Sequence, residues 1–125
     1  MNRNNMFDMH RGAIEMLYLD LCSIYEYQNV KDPKTSISRK EEVLIQENLP
    51  CKLSYSSIDA AAVGDGAAQR NMIAKLFIAP EIEVKPGSKL VVMHNGISTT
   101  FANSGDPGIY PDHKEIMLKL FERWA

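Results

Sequence analysis

The dipeptide Asn95-Gly96, placed between two apolar runs, is the feature that most restricts how this chain can fold. Asn-Gly favours a type I′ turn, whose twist suits the two-residue loop of a β-hairpin. A loop of that length fixes the register of the two strands. The predicted opposed pairs are His94 with Ile97, Val92 with Thr99, and Leu90 with Phe101. Most of the large apolar side chains then share one face, so the sequence predicts an antiparallel meander with one buried face.

The segment before the hairpin carries a second turn signal, Lys85-Pro86-Gly87-Ser88. Proline suits the first central position of a type II turn, and glycine tolerates the positive φ of the second. We therefore expect a strand around Ile82 and Val84 that this turn reverses. Upstream of it, residues 71–79 alternate apolar side chains in the manner of a half-buried strand, which ends at Pro80.

The first half of the chain predicts one helix followed by two strands. Residues 7–17 have a loose helical period, interrupted by Gly12, and residues 19–30 are rich in aromatic and β-branched side chains. Residues 39–46 and 49–57 predict a second long strand, with a break at Asn48–Pro50. Because proline cannot donate to a strand ladder, this break implies an edge or a bulge.

The final segment, residues 113–124, has apolar spacing that fits both a strand and a helix. We favour a strand, because one more strand could close the sheet and bury its edges. The chain is then a mainly β protein, a small antiparallel barrel or sandwich of six or seven strands with a short N-terminal helix. With 125 residues, 45% of them hydrophobic, it is long enough for one domain. We divide it into an arm with a helix (1–18) and a β-barrel (19–125) that includes a long loop.

Composition disfavours two classes of partner. The formal net charge is −2 and the basic residues are scattered, so the chain offers little attraction to a phosphate backbone. No apolar run approaches the roughly 20 residues that span a bilayer, and the polar start is unlike a signal peptide, which predicts a cytoplasmic protein. We expect Cys22 and Cys51 to be reduced core residues, the alternative being a disulfide or redox pair.

Motifs that carry chemistry are missing from the sequence. The three histidines are far apart, and no His-x-x-x-His, Cys-x-x-Cys or Glu-x-x-His spacing predicts a metal site. Gly64-Asp65-Gly66 is not followed by the Gly-Lys-Ser/Thr of a phosphate-binding loop. His113-Lys114-Glu115 is explained as the polar entry to a strand. The sequence therefore predicts no catalytic residue, no cofactor and no enzyme.

Six stretches of the sequence share a pattern with a known family of virion proteins. They are DLCSIYEY (20–27), PCKLSYSS (50–57), KLFI (75–78), IEVKPGSKLVV (82–92), SGDPGIY (104–110) and HKEIML (113–118). In these stretches the chain resembles the head-closure proteins of tailed bacteriophages and prophages, also called head-tail joining or stopper proteins. The resemblance spans roughly residues 15 to 125, and its motifs are those of a barrel.

The resemblance implies a virion neck protein, made in the host cytoplasm, that binds no membrane. It implies a ring of twelve copies beneath the portal and adaptor proteins that closes the DNA channel after packaging and receives the tail. DNA would pass through the lumen without sequence-specific binding. The loop at residues 59–70 would reach the lumen or a neighbour, and its small residues would let it rearrange. The gating residues implied are Asp59, Ala60, Ala61, Val63, Gly64, Asp65, Gly66, Gln69 and Arg70.

Phe121, Arg123 and Trp124 form a second candidate interface, because aromatic residues are favoured anchors at interface cores. The alternative is a segment that packs on its own barrel. Two other functions stay open. The chain could be a tail terminator or another tail-associated barrel, or, from a different class, a small ligand-binding barrel with Tyr25, Tyr55 and Phe77 lining a pocket.

Overall fold

The computed structural model describes residues 3–58, 71–105 and 107–124. Its described part contains one helix and seven strands. They are α1 (Arg3–Glu15), β1 (Asp20–Lys31), β2 (Ser38–Ile58), β3 (Asn71–Ile78), β4 (Lys89–His94), β5 (Ile97–Asn103), β6 (Gly108–Ile109) and β7 (Lys114–Leu120). The mainly β class with a short N-terminal helix is confirmed, although the helix lies at Arg3–Glu15 and not at residues 7–17.

The strands form one antiparallel sheet that closes on itself. Its order is β3-β2-β1-β4-β5-β7, and β7 pairs with β3 as well, so hydrogen bonds run around a complete ring. The short β6 adds to β7 outside that ring. This barrel-like closure confirms the predicted architecture, and it includes the terminal strand that we favoured. Within the ring, this closure leaves no edge strand on which another chain could add.

The β4–β5 hairpin has the predicted geometry. Asn95 and Gly96 have φ of 50° and 78°, the two positive values of a type I′ turn. All three predicted pairs are present, from His94 opposite Ile97 to Leu90 opposite Phe101. Leu90 and Phe101 are buried inside the ring. The local turn chemistry therefore sets the register of the whole β4–β5 unit.

Two glycine substitutions should shift stability in opposite directions. Gly96→Ala should lower the free energy of unfolding by about 1 kcal/mol, because a Cβ disfavours positive φ even where it meets no neighbour. Gly12→Ala should raise it by up to about 1 kcal/mol, because Gly12 lies within α1, its Cβ position is open, and alanine favours helix. Urea titration of the two variants measures both shifts. Destabilisation by both substitutions would contradict this account.

The predicted strand at Ile82 and Val84 is wrong. β3 ends at Ile78, and residues 79–88 connect it to β4. The Asn103 side-chain amide donates to the backbone oxygen of Val84 at 3.1 Å and to that of Lys85 at 3.2 Å, in place of a neighbouring strand. Val84 is nevertheless buried, so the segment packs into the core without pairing. The turn that follows is as predicted, with Gly87 at φ 82°.

β2 is a single strand of 21 residues that changes neighbours along its length. Its first part pairs with β1, and from Cys51 onward it pairs with β3. The register with β1 shifts near Asn48, which has φ of 54°, so the predicted break is a bulge within one strand. Pro50 lies where β2 passes from one neighbour to the next, a position that tolerates a residue without an N–H.

A two-stranded ribbon extends beyond the ring. β1 pairs with β4 only through residues 21–25, whereas its pairing with β2 continues to Lys31 opposite Ser38. Residues 26–43, here called the β1–β2 ribbon, therefore have no third strand beside them in the described sheet. At the other end of β2, Ile58 pairs with Asn71 at the start of β3.

Apolar side chains fill the interior of the ring. The core cluster is Cys22, Ile24, Cys51, Leu53, Ala74, Leu76, Ile78, Val84, Leu90, Val92, Phe101, Ile116 and Leu118. Both cysteines are unpaired and fully buried, as expected. The neighbouring Cys22 thiol, together with burial, raises the pKa of Cys51 well above its usual range. Both thiols are core side chains, and the Cys51 thiol is not a reactive thiolate.

Candidate functional site

The predicted gating loop falls outside the described residues. This applies to every residue proposed there: Asp59, Ala60, Ala61, Val63, Gly64, Asp65, Gly66, Gln69 and Arg70. The structure does describe the two strands that carry it. Ile58 and Asn71 are directly opposed at the ends of β2 and β3, so the segment between them begins and ends at one point of the sheet.

The C-terminal aromatic residues pack on the base of the β1–β2 ribbon. The Trp124 ring stacks on Tyr27 with centroids 5.2 Å apart and planes 8° apart, and Phe121 meets Trp124 edge-on at 5.1 Å. The Trp124 indole Nε1 donates to Glu42 Oε1 at 3.3 Å. These contacts tie the end of the chain to the ribbon that β1 and β2 extend from the ring.

Lys89 completes this cluster from β4. Its Nζ lies 5.3 Å from the Tyr25 ring centroid and 5.2 Å from that of Phe121, and it bonds Glu42 Oε1 at 2.6 Å. Phe121 and Trp124 are thus packed within their own chain, as the alternative interpretation held, while Arg123 is exposed. An interface role for these three residues stays a prediction.

The residues that contact the C-terminal aromatics were not among the predicted site residues. Tyr27, Glu42 and Lys89 belong to three strands that lie far from the C terminus in sequence. One sequence signal was available. Tyr25 and Tyr27 alternate with the buried Ile24 and therefore lie on the outer face of β1. Two neighbouring aromatic side chains on an outer face indicate that another segment packs on them.

A charged cluster surrounds His113 at the entry to β7. The His113 Nδ1 lies 2.7 Å from Asp112 Oδ1 and its Nε2 lies 2.8 Å from Glu115 Oε2. Lys75 Nζ adds a contact to Glu115 Oε1 at 3.0 Å, and His10 of α1 pairs with Asp112. Tyr110 stacks on the imidazole with centroids 4.6 Å apart. Carboxylates thus alternate with basic side chains through the cluster.

The pKa values in this cluster follow from the pairing. Desolvation lowers the pKa of His113, but Glu115 and Asp112 outweigh it and the net pKa is raised. His113 holds the pKa of Asp112 below its usual range, and His113 with Lys75 does the same for Glu115. Both imidazole nitrogens face carboxylates, so the cluster serves to hold α1 and β7 together. Sequence reasoning missed Asp112 because no local motif marks it.

The three aromatic residues suggested for a ligand-binding barrel do not meet. Tyr25 lies under Lys89, Tyr55 is edge-on to His94 at 6.5 Å, and Phe77 contacts His113 at 5.8 Å. Since the core cluster fills the ring, this arrangement does not form the pocket that we considered.

Two classes of site are not found in the described part of the chain. Within residues 3–58, 71–105 and 107–124, no group of three or more His, Cys, Asp or Glu side chains is arranged to hold a metal ion. The helix in that part is too short and too polar to cross a membrane.

Comparison with known proteins gives little further information. No protein-family model matches the sequence, and no curated protein matches it. One solved structure of similar shape is that of the phage-like element PBSX protein xkdH from Bacillus subtilis, with a TM-score of 0.48 and 11% sequence identity. The match covers 82% of this chain and 94% of that one. An overlap of this quality decides neither the family nor the function of the chain.

Proposed function

We propose that the chain is a structural neck protein of a tailed bacteriophage or prophage. In this role it forms a ring of twelve copies between the portal and adaptor proteins and the tail, closes the DNA channel after packaging, and offers the tail its attachment surface. The sequence resemblance to head-closure proteins supports the proposal. The structural observation that carries it is a small closed barrel whose long β2 projects past the ring at one end and leads into the predicted gating segment at the other.

Two physical features agree with a channel wall. Ile58 and Asn71, which flank the predicted gating segment, are directly paired, so the barrel holds the two attachment points of that segment side by side. The formal net charge of −2 gives no strong attraction to DNA, and a strongly basic lumen would bind the phosphate backbone and hinder its passage.

The proposal includes the absence of catalytic activity. His94 meets Asp20 and Asn95 through its two ring nitrogens, and His113 has both of its nitrogens engaged by carboxylates. Its surroundings explain it as a structural ion pair that fastens α1 to β7. No small-molecule substrate or cofactor is therefore proposed.

Electron cryo-microscopy of particles tests the proposed function. Wild-type particles are compared with particles whose copy of the chain lacks residues 59–69, and with a control that carries Lys119→Ala at an exposed position of β7. We expect a ring between connector and tail in wild type and control. Heads with the shortened segment should assemble and then lose DNA. Density that caps the tail tube would instead support a tail terminator, and particles that lack the chain would contradict both.

A further inference from the structure

The β1–β2 ribbon joins the ring at a place where the sheet is irregular. The register between β1 and β2 shifts twice, between Cys22 and Ile24 and between Ile24 and Tyr25. Beyond Tyr25, which is the last residue of β1 to pair with β4, only the six pairs from Glu26–Val43 to Lys31–Ser38 continue. Register shifts bend a strand, and a ribbon of two strands has little stability of its own. The ribbon can therefore pivot on the ring at this junction.

The tip of the ribbon is held by its own hydrogen bonds. Asp32 N donates to Ile37 O and Ser36 N donates to Asp32 O, both at 2.9 Å, so the ribbon and its tip form one body. Six strand pairs at roughly 3.4 Å each place this tip about 20 Å beyond the ring. A small change of angle at the junction therefore becomes a large displacement of the tip.

The end of the chain crosses this junction. We call residues 121–124 the C-terminal strap. Its Trp124 contacts both members of one ribbon pair, because the ring stacks on Tyr27 and the indole Nε1 donates to Glu42 Oε1 at 3.3 Å. Lys89 of β4 binds the same Glu42 oxygen at 2.6 Å. One cross-strand pair at the base of the ribbon is thus tied to the ring from two directions.

The strap has few other attachments. Phe121 N donates to Thr100 O at 3.1 Å, and within the described residues the backbone of 122–124 adds no further hydrogen bond. A groove of about 710 Å³ runs along the strap where it leaves β7, so the strap does not pack continuously on the strands below it. Residues 122–124 can therefore detach without breaking a strand pair.

The charged contacts at the junction are weaker than the aromatic stack. Lys85 Nζ lies 3.7 Å from Glu26 Oε1, and both Lys85 and the Glu42 that Lys89 binds are exposed. Water and salt screen exposed ion pairs, which contribute little to stability. Stacked aromatic rings instead remove apolar surface from water. The Trp124 ring on Tyr27 is therefore the contact that most strongly fixes the ribbon.

We propose that the C-terminal strap is a clamp that fixes the angle of the β1–β2 ribbon, and that detachment of Trp124 lets the ribbon pivot at the register shifts. In the clamped state Tyr27 and Glu42 are held to the ring, and the tip has one position. In the released state the ribbon keeps its strand pairs, but its tip takes several positions. Trp124 is thus a positioning residue for the tip. All these contacts lie within one chain, so the clamp is independent of the proposed neck function.

A distance between two spin labels tests the clamp. The labels are attached through Lys34→Cys at the tip and Ser98→Cys on β5, which are exposed positions, and labelled chains are diluted with unlabelled protein. The native cysteines are fully buried and stay unlabelled. We expect a narrow distance distribution in the chain with Trp124, and at least a doubling of its width with Trp124→Ala. Equal widths in the two proteins would overturn the proposal.

Matched variants separate positioning from unfolding. Arg123→Ala changes the exposed neighbour of Trp124 and should leave the width unchanged, whereas Trp124→Phe keeps an aromatic ring on Tyr27 and should restore most of the narrow distribution. Tyr27→Leu removes the stack from the ribbon side and should broaden the distribution as Trp124→Ala does. Hydrogen exchange should show that residues 26–31 and 38–43 stay paired in every variant. Loss of protection there would show that the strap holds the strands together and does not set their angle, which would also overturn the proposal.

Discussion

Leu76→Ala should lower the free energy of unfolding by about 3 kcal/mol, the largest effect expected from a single substitution in this chain. Leu76 is fully buried at the centre of β3, where it is paired with Leu53 of β2 and Ile116 of β7. Removing a buried leucine side chain costs the lost transfer free energy plus that of the cavity left behind. Because β3 joins β7 to β2, the cavity also weakens the pairing that closes the ring.

Leu120→Ala provides the matched control. It makes the same chemical change on β7, but Leu120 is 67% exposed, so we expect a loss below about 0.5 kcal/mol. Urea titrations followed by circular dichroism give both values. Similar losses in the two variants would show that the interior of the ring is not the stabilising core described above.

Local sequence patterns predicted those parts of the fold that local interactions determine. Asn95-Gly96 specifies a turn, that turn specifies the register of β4 and β5, and the alternation in residues 71–79 specifies the buried face of β3. The terminal strand was ambiguous from its apolar spacing. Its place between β3 and β5 decides the matter, because there it completes the hydrogen-bonded ring.

Local patterns could not predict the contacts between segments that are distant in sequence. Val84 carries the apolar character of a strand, yet the Asn103 side chain takes the backbone oxygen that a neighbouring strand would have paired. The stack of Trp124 on Tyr27 joins the last described residue to the first strand. From sequence alone, an aromatic residue near a chain end could contact another chain or pack on the barrel of its own chain. The stack on Tyr27 is visible only in the folded arrangement.

The same limit applies to the candidate sites. The small residues of the segment 59–70 suggested a loop with a function, but composition cannot say what the loop contacts. The groove between α1 and the β3–β4 connection depends on the position of α1, which the Arg11–Glu81 and His10–Asp112 pairs fix. Both pairs join residues far apart in sequence, so neither leaves a periodic signal. The groove could be found only once those pairs had placed the helix.

Replacing His113 should change how stability depends on pH. The folded pKa of His113 is raised, so its stabilisation is fully present below its ordinary value of 6.5 and is lost as the pH rises through the folded value. Asp112 and Glu115 have lowered pKa values. The stabilisation that these two carboxylates contribute is therefore present above their ordinary pKa values of 3.8 and 4.5 and is lost as the pH falls through the folded values. The cluster therefore stabilises the fold most between pH 4.5 and 6.5.

His113→Gln removes the imidazole charge from this cluster at every pH and leaves Lys75 and His10 in place. At about pH 6 the variant should lose about 1 to 2 kcal/mol of unfolding free energy, because two charge-assisted hydrogen bonds are replaced by weaker neutral ones. As the pH rises through the raised folded pKa of His113, the wild-type imidazole loses its proton and the difference should become smaller. Urea titrations of both proteins across this range measure it. If the difference stayed constant with pH, His113 would stabilise the fold through its stack with Tyr110 and not through its charge.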